Sequence, residues 1–158
     1  MKPNAEDILI RHARTDDIPA LQSLSQNGYI DSRFYVDEHF PRERCQAFYE
    51  TWIRKAVEAG IELVLVAEID NIVQGYIICH QDIPEKQQIR LDLVAVRQEA
   101  RRKGVGQMLF QGTFEWCKRK GIEYIWSATQ IRNIAAQCLF QRMGFLPRSC
   151  QLYYHKWF

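Results

Sequence analysis

A chain of 158 residues, 47% of them apolar and 25% charged, is long enough for one domain with a sizeable core and is not the composition of a disordered protein. A net charge of +2 is too small to argue for nucleic acid or an anionic membrane as partner, and no apolar run approaches a membrane span. The five cysteines (Cys45, Cys79, Cys117, Cys138, Cys150) are widely spaced, with no Cys-x-x-Cys pair. That argues against a disulfide framework or a metal site, and for small buried thiols in a reducing cytoplasm. The opening MKPNAEDILIRH has no signal-peptide core.

In chain order, Ile8 to Ala13 alternates and predicts a first strand. Thr15-Asp16-Asp17 is placed to cap a helix starting near Ile18, with Leu21 and Leu24 on one face and Asn27-Gly28 at its end. Tyr29 to Phe40, YIDSRFYVDEHF, is aromatic and irregular. Pro41 opens a long helix to Ala59, with Cys45, Phe48, Trp52, Ile53, Ala56 and Val57 as its apolar face and Gly60 as its stop. Glu62 to Ile69 and Ile72 to His80 predict a hairpin across Asp70-Asn71, and Gly75 within the second strand marks a bulge or a close contact. A loop with Pro84 follows.

Ile89 to Lys120 then reads as strand, tight loop and helix. Ile89, Leu91, Leu93, Val94 and Val96 form the strand. The loop is Arg101-Arg102-Lys103-Gly104-Val105-Gly106, and the helix runs to Gly121. Two glycines and three cations at a helix N-terminus suit a phosphorylated ligand, because backbone N–H groups and the helix dipole face the anion there. The order is neither a Walker A loop nor a dinucleotide fingerprint, which would need a third glycine at Leu109. Glu123 to Thr129 predicts a fifth strand, Asn133 opens a short helix closed by Gly144, and Ser149 to Phe158 reads as an aromatic final strand. No linker or repeat divides residues 1–158, so a single mixed α/β domain is expected.

Two motifs carry a resemblance. Arg101-x-x-Gly104-x-Gly106 resembles the pyrophosphate loop of the GCN5-related N-acetyltransferases. One strand later, Asn133-Ile-Ala-Ala136, followed by Gly144-Phe145, is similar to that family's Asn-x-x-Ala-x-x-x-Tyr-x-x-x-Gly-Phe pattern. The resemblance implies a mixed sheet of six to seven strands, splayed between strands 4 and 5 and flanked by about four helices. It implies acetyl-CoA as cosubstrate. The backbone of Val94, Ala95 and Val96 would pair with the pantetheine arm and hold the thioester oxygen. Arg101, Arg102, Lys103, Gly104, Val105, Gly106 and Gln107 would hold the pyrophosphate. Asn133 would meet the pantetheine or adenosine, with a plain helix cap as its other reading. The final strand would be where a second copy pairs.

One position departs from the pattern. Phe140 stands where the family has a tyrosine that donates to the leaving thiolate, and phenylalanine has no donor. Tyr153 or Tyr154 could substitute, the thiolate could leave unaided, or the protein could bind acyl-CoA and turn it over poorly. As an apolar wall beside the thioester, Phe140 keeps a plain role.

Further pieces are similar to nucleotide-sugar amine acetyltransferases within the family: Ser32-Arg33-Phe34, the run from Phe48 to Val57, Ala128-Thr129-Gln130, and Leu152-Tyr153. They imply a 4-amino sugar on a nucleoside diphosphate as acceptor, with Arg33 on a phosphate, Tyr29, Phe34 and Tyr35 on base or sugar, and Gln130 nearby. A core-closing aromatic lid is the alternative. For the base that takes the amine proton, Asp92 and His80 are the candidates. A period of two places Asp92 on the side of Val94 and Val96; a pair with Arg90 is its structural alternative. A polyamine, amino acid or protein N-terminus as acceptor, and a non-catalytic acyl-CoA-binding domain, stand beside this reading.

Overall fold

The computed structural model describes residues 7–60, 63–81 and 87–158. Strands β1 (Leu9–His12), β2 (Leu63–Ile69), β3 (Ile72–His80), β4 (Gln88–Val96) and β5 (Tyr124–Ser127) form one sheet in the order β1-β2-β3-β4-β5. The first three pairings are antiparallel and β4–β5 is parallel. The helices are α1 (Ile18–Ser25), α2 (Arg33–Val36), α3 (Arg42–Ala59), α4 (Val105–Lys120) and α5 (Ile134–Arg142).

The sheet is buried on both faces, as the almost uninterrupted apolar runs of β2 and β3 require. On one face Leu65, Ile77, Ile89 and Leu91 pack with Val105, Leu109 and Phe110 of α4. On the other, Val66, Tyr76, Ile78 and Leu93 pack with Leu21 of α1 and with Tyr49 and Ile53 of α3. The β2–β3 hairpin turns at Asp70 and Asn71, with φ 51° and 62°, the left-handed pair of a two-residue turn whose twist matches the strands. Gly75 is a close contact beside a bulge: the ladder skips Gln74, and a Cβ on Gly75 would lie 2.8 Å from the Ala95 carbonyl oxygen.

Several expectations need correction. The sheet has five strands among the described residues, not six to seven. Ser149 to Phe158 forms no strand; its backbone reaches no sheet edge, and its ordered contacts are made by side chains. Asp17 does not cap α1. Its carboxylate takes Arg11 Nη1 and Nη2 at 2.7 and 3.0 Å and Arg14 N at 2.7 Å, so it ties β1 to the turn before the helix. On α3 the buried face is Cys45, Tyr49, Ile53 and Ala56, while Phe48 is exposed. Aromatic α2 occupies part of the stretch expected to be irregular. Glu62 and the loop with Pro84 lie outside the described residues.

Candidate active site

The sheet opens where β5 stops. β5 pairs with β4 only from Gln88↔Tyr124 to Leu91↔Ser127, so β4 continues from Asp92 to Val96 with β3 as its one sheet neighbour. A bulge sits at this point: Leu91 pairs with Cys79 and Leu93 with Ile78, leaving Asp92 without a place in the ladder. The extra residue shifts the phase of the strand. Val94 and Val96 join Ile89 and Leu91 on the α4 face, and Leu93 and Ala95 face the other core. The bulge thus interrupts the period of two on which the placing of Asp92 beside Val94 and Val96 relied. Ser127 Oγ donates to Leu91 O at 2.9 Å, and Arg101 Nε donates to Val96 O at 3.2 Å. Val94 lies in the same phase as these two, so its N–H and C=O line the edge that β5 has left.

This edge leads into the loop before α4. A 3-10 turn, Gln98–Ala100, precedes Arg101, Arg102 and Lys103, all exposed. Arg102 (φ 61°) and Gly104 (φ 87°) are both left-handed. Alternating hands turn successive N–H groups into one concave cradle for an anion. Among the described residues no backbone hydrogen bond from the N–H groups of 102 to 107 is as short and straight as the one with which the ladder resumes, Met108 N to Gly104 O at 3.0 Å. Gly104 is glycine for its φ, with nothing within 4 Å of a Cβ there. Gly106 is glycine for packing: a Cβ would lie 3.2 Å from Leu139 Cδ2. Its missing side chain thus admits α5, a reason beyond the approach of an anion.

On α5, Asn133 Oδ1 accepts from Ala136 N at 3.1 Å, the helix cap, and Gln130 O accepts from Asn133 N at 2.9 Å. Phe140 packs into the α4 core, 5.8 Å from the Phe110 ring and 5.3 Å from that of Phe145. Asp92, only 4% exposed, is ion-paired with Arg90, whose guanidinium lies 5.6 Å over Trp126. His80 ends β3 opposite Arg90.

The aromatic segment lies on the Leu93/Ala95 side. Tyr29 stacks on Tyr49 at 4.5 Å, and its hydroxyl is 2.8 Å from that of Tyr76, which pairs with Ala95 across β3–β4. Burial pushes both hydroxyls well above the usual tyrosine range. Tyr35 stacks on the far side of Tyr49 at 6.2 Å. The exposed Arg33 sits 4.8 Å over Phe34 and 5.6 Å over Tyr153. Tyr153 is 72% exposed and donates to Gln151 Oε1 at 2.7 Å; Tyr154 is exposed as well.

Sequence reasoning assigned no site role to Tyr49, Tyr76, Asp37, His155 or Trp157. Asp37 Oδ1 accepts from His39 N and, at the same 3.0 Å, contacts His39 Nδ1. Asp37 Oδ2 meets His155 Nε2 at 2.6 Å and Trp157 Nε1 at 3.1 Å. Led by the bond from the His39 backbone, these contacts hold the Asp37 carboxyl down at about 2. Tyr76 is the lone aromatic of a largely aliphatic strand, and no local pattern joins residues 37 and 155. A cavity of about 330 Å³ lined by Leu63, Cys79, Trp116 and Ile122 lies at the other end of α4, away from the loop.

A family model described as the acetyltransferase (GNAT) family matches residues 24–145. The spore coat polysaccharide biosynthesis protein SpsD of Bacillus subtilis is 26% identical over 141 residues, covering 89% of this chain and 48% of that protein. This chain spans about half the length of the curated relatives it matches. Among solved structures, the PaiA N-acetyltransferase of Thermoplasma acidophilum, in complex with coenzyme A, superposes with a TM-score of 0.73 at 17% identity, over 91% of this chain and 92% of that one. An aminoglycoside N-acetyltransferase, AAC(6')-Iy, in complex with CoA, gives 0.69 at 19% identity, over 94% of each chain. At these identities the structural likeness speaks to the fold.

Proposed function

The chain belongs to the acetyltransferase (GNAT) family, and from that premise we propose that it transfers an acetyl group from acetyl-CoA to the primary amine of an amino sugar, with a nucleoside-diphosphate 4-amino sugar as best candidate. The observation that carries the reading is the open β4 edge running into a cradle of N–H groups at the start of α4. An extended pantetheine arm adds to such an edge as a strand would, and a pyrophosphate fits the cradle with Arg101, Arg102 and Lys103 around it. Val94, Ala95 and Val96 face the arm, with Gln107 and Asn133 nearby, and the Val94 N–H is the donor for the thioester oxygen.

The amine nitrogen attacks the thioester carbon, the C–S bond breaks and the thiolate leaves. The ammonium proton passes to Asp92 or His80, directly or through water. Phe140 has no proton to give, and Tyr153 is turned to Gln151, so the thiolate leaves without a protein acid. The acceptor lies on the aromatic side, against Tyr29, Arg33, Phe34, Tyr35 and Gln130. The likeness to a polysaccharide biosynthesis protein supports a sugar amine. A second copy would pair along a sheet edge, of which the described sheet has two, β1 and β5. No helix among the described residues is long and apolar enough to cross a membrane.

Thiol release from acetyl-CoA, measured with nucleotide-linked amino sugars, polyamines, amino acids and peptides, tests the reading. Release with an amino sugar supports it. Release with polyamines or peptides alone replaces the acceptor. Tight CoA binding with no release from any amine makes the chain an acyl-CoA-binding domain.

A further inference from the structure

We infer that Asp37 is a positioning residue that clasps the C-terminal tail over the acceptor side of the site, and that acceptor capture depends on this clasp. The inference rests on the acceptor assignment above. Two segments distant in sequence meet here through five side-chain contacts. Asp37 Oδ2 holds His155 Nε2 at 2.6 Å and Trp157 Nε1 at 3.1 Å. The Trp157 ring stacks on His39 at 5.0 Å and meets Phe40 edge-on at 5.3 Å. Arg33 lies over the Tyr153 ring at 5.6 Å while its other neighbour is Phe34.

The chemistry of the clasp is asymmetric. Asp37 follows α2 directly, and α2 carries Arg33, Phe34 and Tyr35. The Asp37 carboxylate faces four donors, two from His39 and two from the tail, so docking the tail adds two charge-assisted hydrogen bonds to the two it already has. The tail between Ser149 and Phe158 has no helix or strand of its own, so side-chain ties set where it lies. One of those ties puts the Tyr153 ring against the only cation of α2. Docking therefore fixes both the direction of Arg33 and the roof over it, and an acceptor phosphate meets a guanidinium already oriented. Loss of the clasp leaves Arg33 with one ring and an open side, a cost paid when the acceptor binds and not when acetyl-CoA does.

The experiment uses Asp37→Ala, His155→Ala and the donor-retaining His155→Gln. Two quantities are read: tryptic cleavage between Lys156 and Trp157, which lies inside the clasp, and the separate KM values for amino-sugar acceptor and acetyl-CoA. Cleavage and acceptor KM are both expected to rise about tenfold in the two alanine variants. His155→Gln should stay within about threefold of wild type, and the acetyl-CoA KM and Tm should be unchanged. Unchanged cleavage in both alanine variants overturns the clasp. A released tail with an unchanged acceptor KM overturns its role in capture. If the wild-type chain acetylates no amine while cleavage still rises on substitution, the parent reading of the site falls, and the acceptor role with it, although the physical clasp stands.

Discussion

The backbone of Gly106 lies so close to Leu139 that a Cβ there would sit 3.2 Å from Leu139 Cδ2. The first turn of α4, which presents the N–H groups of the cradle, is thus seated on α5. The first turn of α4 and the Leu139 side chain of α5 therefore share one tight contact.

Gly106→Ala should therefore act through α5. The new methyl overpacks the contact and is expected to cost about 1–2 kcal/mol of stability and to weaken CoA binding by calorimetry. Adding Leu139→Ala makes room, so the double variant should lose at least ~0.5 kcal/mol less than the sum of the single losses. Strict additivity in denaturant titrations would show that the two residues do not share the strain.

Gly104 answers to a different constraint. With φ at 87° and open space around a Cβ, substitution strains the backbone without a clash. Gly104→Val should cost about 2 kcal/mol and Gly104→Asn roughly half that, because asparagine tolerates the left-handed region. CoA affinity should follow the same order while the circular dichroism spectrum stays native. Equal affinities for wild type and Gly104→Val would remove the loop from cofactor binding.

Much of this was legible beforehand for a physical reason. The Ile72–His80 strand, the Asp70-Asn71 turn, the Gly60 stop, the loop from Arg101 to Gly106 and the Asn133 cap are local devices, written in adjacent residues. What escaped the reading is non-local. Ile89 to Val96 looks like an unbroken alternation, and nothing in it announces that β3 will skip Asp92. The tail looks like a strand because it is aromatic, yet its place is set by a carboxylate 118 residues away. The same holds for Asp17, which looks like a helix cap and is instead held by Arg11.

That last contact carries a pH dependence. Arg11 lies between Asp17 and Glu68, at 2.7 and 2.5 Å. The hydrogen bond from Arg11, more than any other influence, lowers the folded pKa of Asp17 below its ordinary value of 3.8. A depressed carboxyl binds fewer protons folded than unfolded, so its stabilisation is complete above about pH 4 to 5 and is lost as pH falls through the folded value. Asp17→Asn should cost about 2 kcal/mol near neutral pH and almost nothing in strong acid. Urea midpoints measured from pH 7 to pH 2 should converge; curves that stay parallel would show that Asp17 does not titrate with folding.

Phe140 sets a limit on how much the missing acid matters. A thiol of pKa about 8.5 leaves as thiolate at pH 7 at a disadvantage of roughly 2 kcal/mol relative to its protonated form. An acid at that position therefore matters less than it would for a poorer leaving group, on the order of thirtyfold at pH 7, and its advantage shrinks as pH rises toward the thiol pKa. Phe140→Tyr restores the donor on a ring that already packs beside Phe110 and Phe145. Its kcat should exceed wild type below pH 8, by less than about thirtyfold, and the two pH profiles should merge on the alkaline side. Tyr153→Phe, whose hydroxyl points to Gln151, should leave kcat within about twofold. A large loss in Tyr153→Phe, together with no gain in Phe140→Tyr, would mean that the tail supplies the proton and that the thiolate never leaves alone.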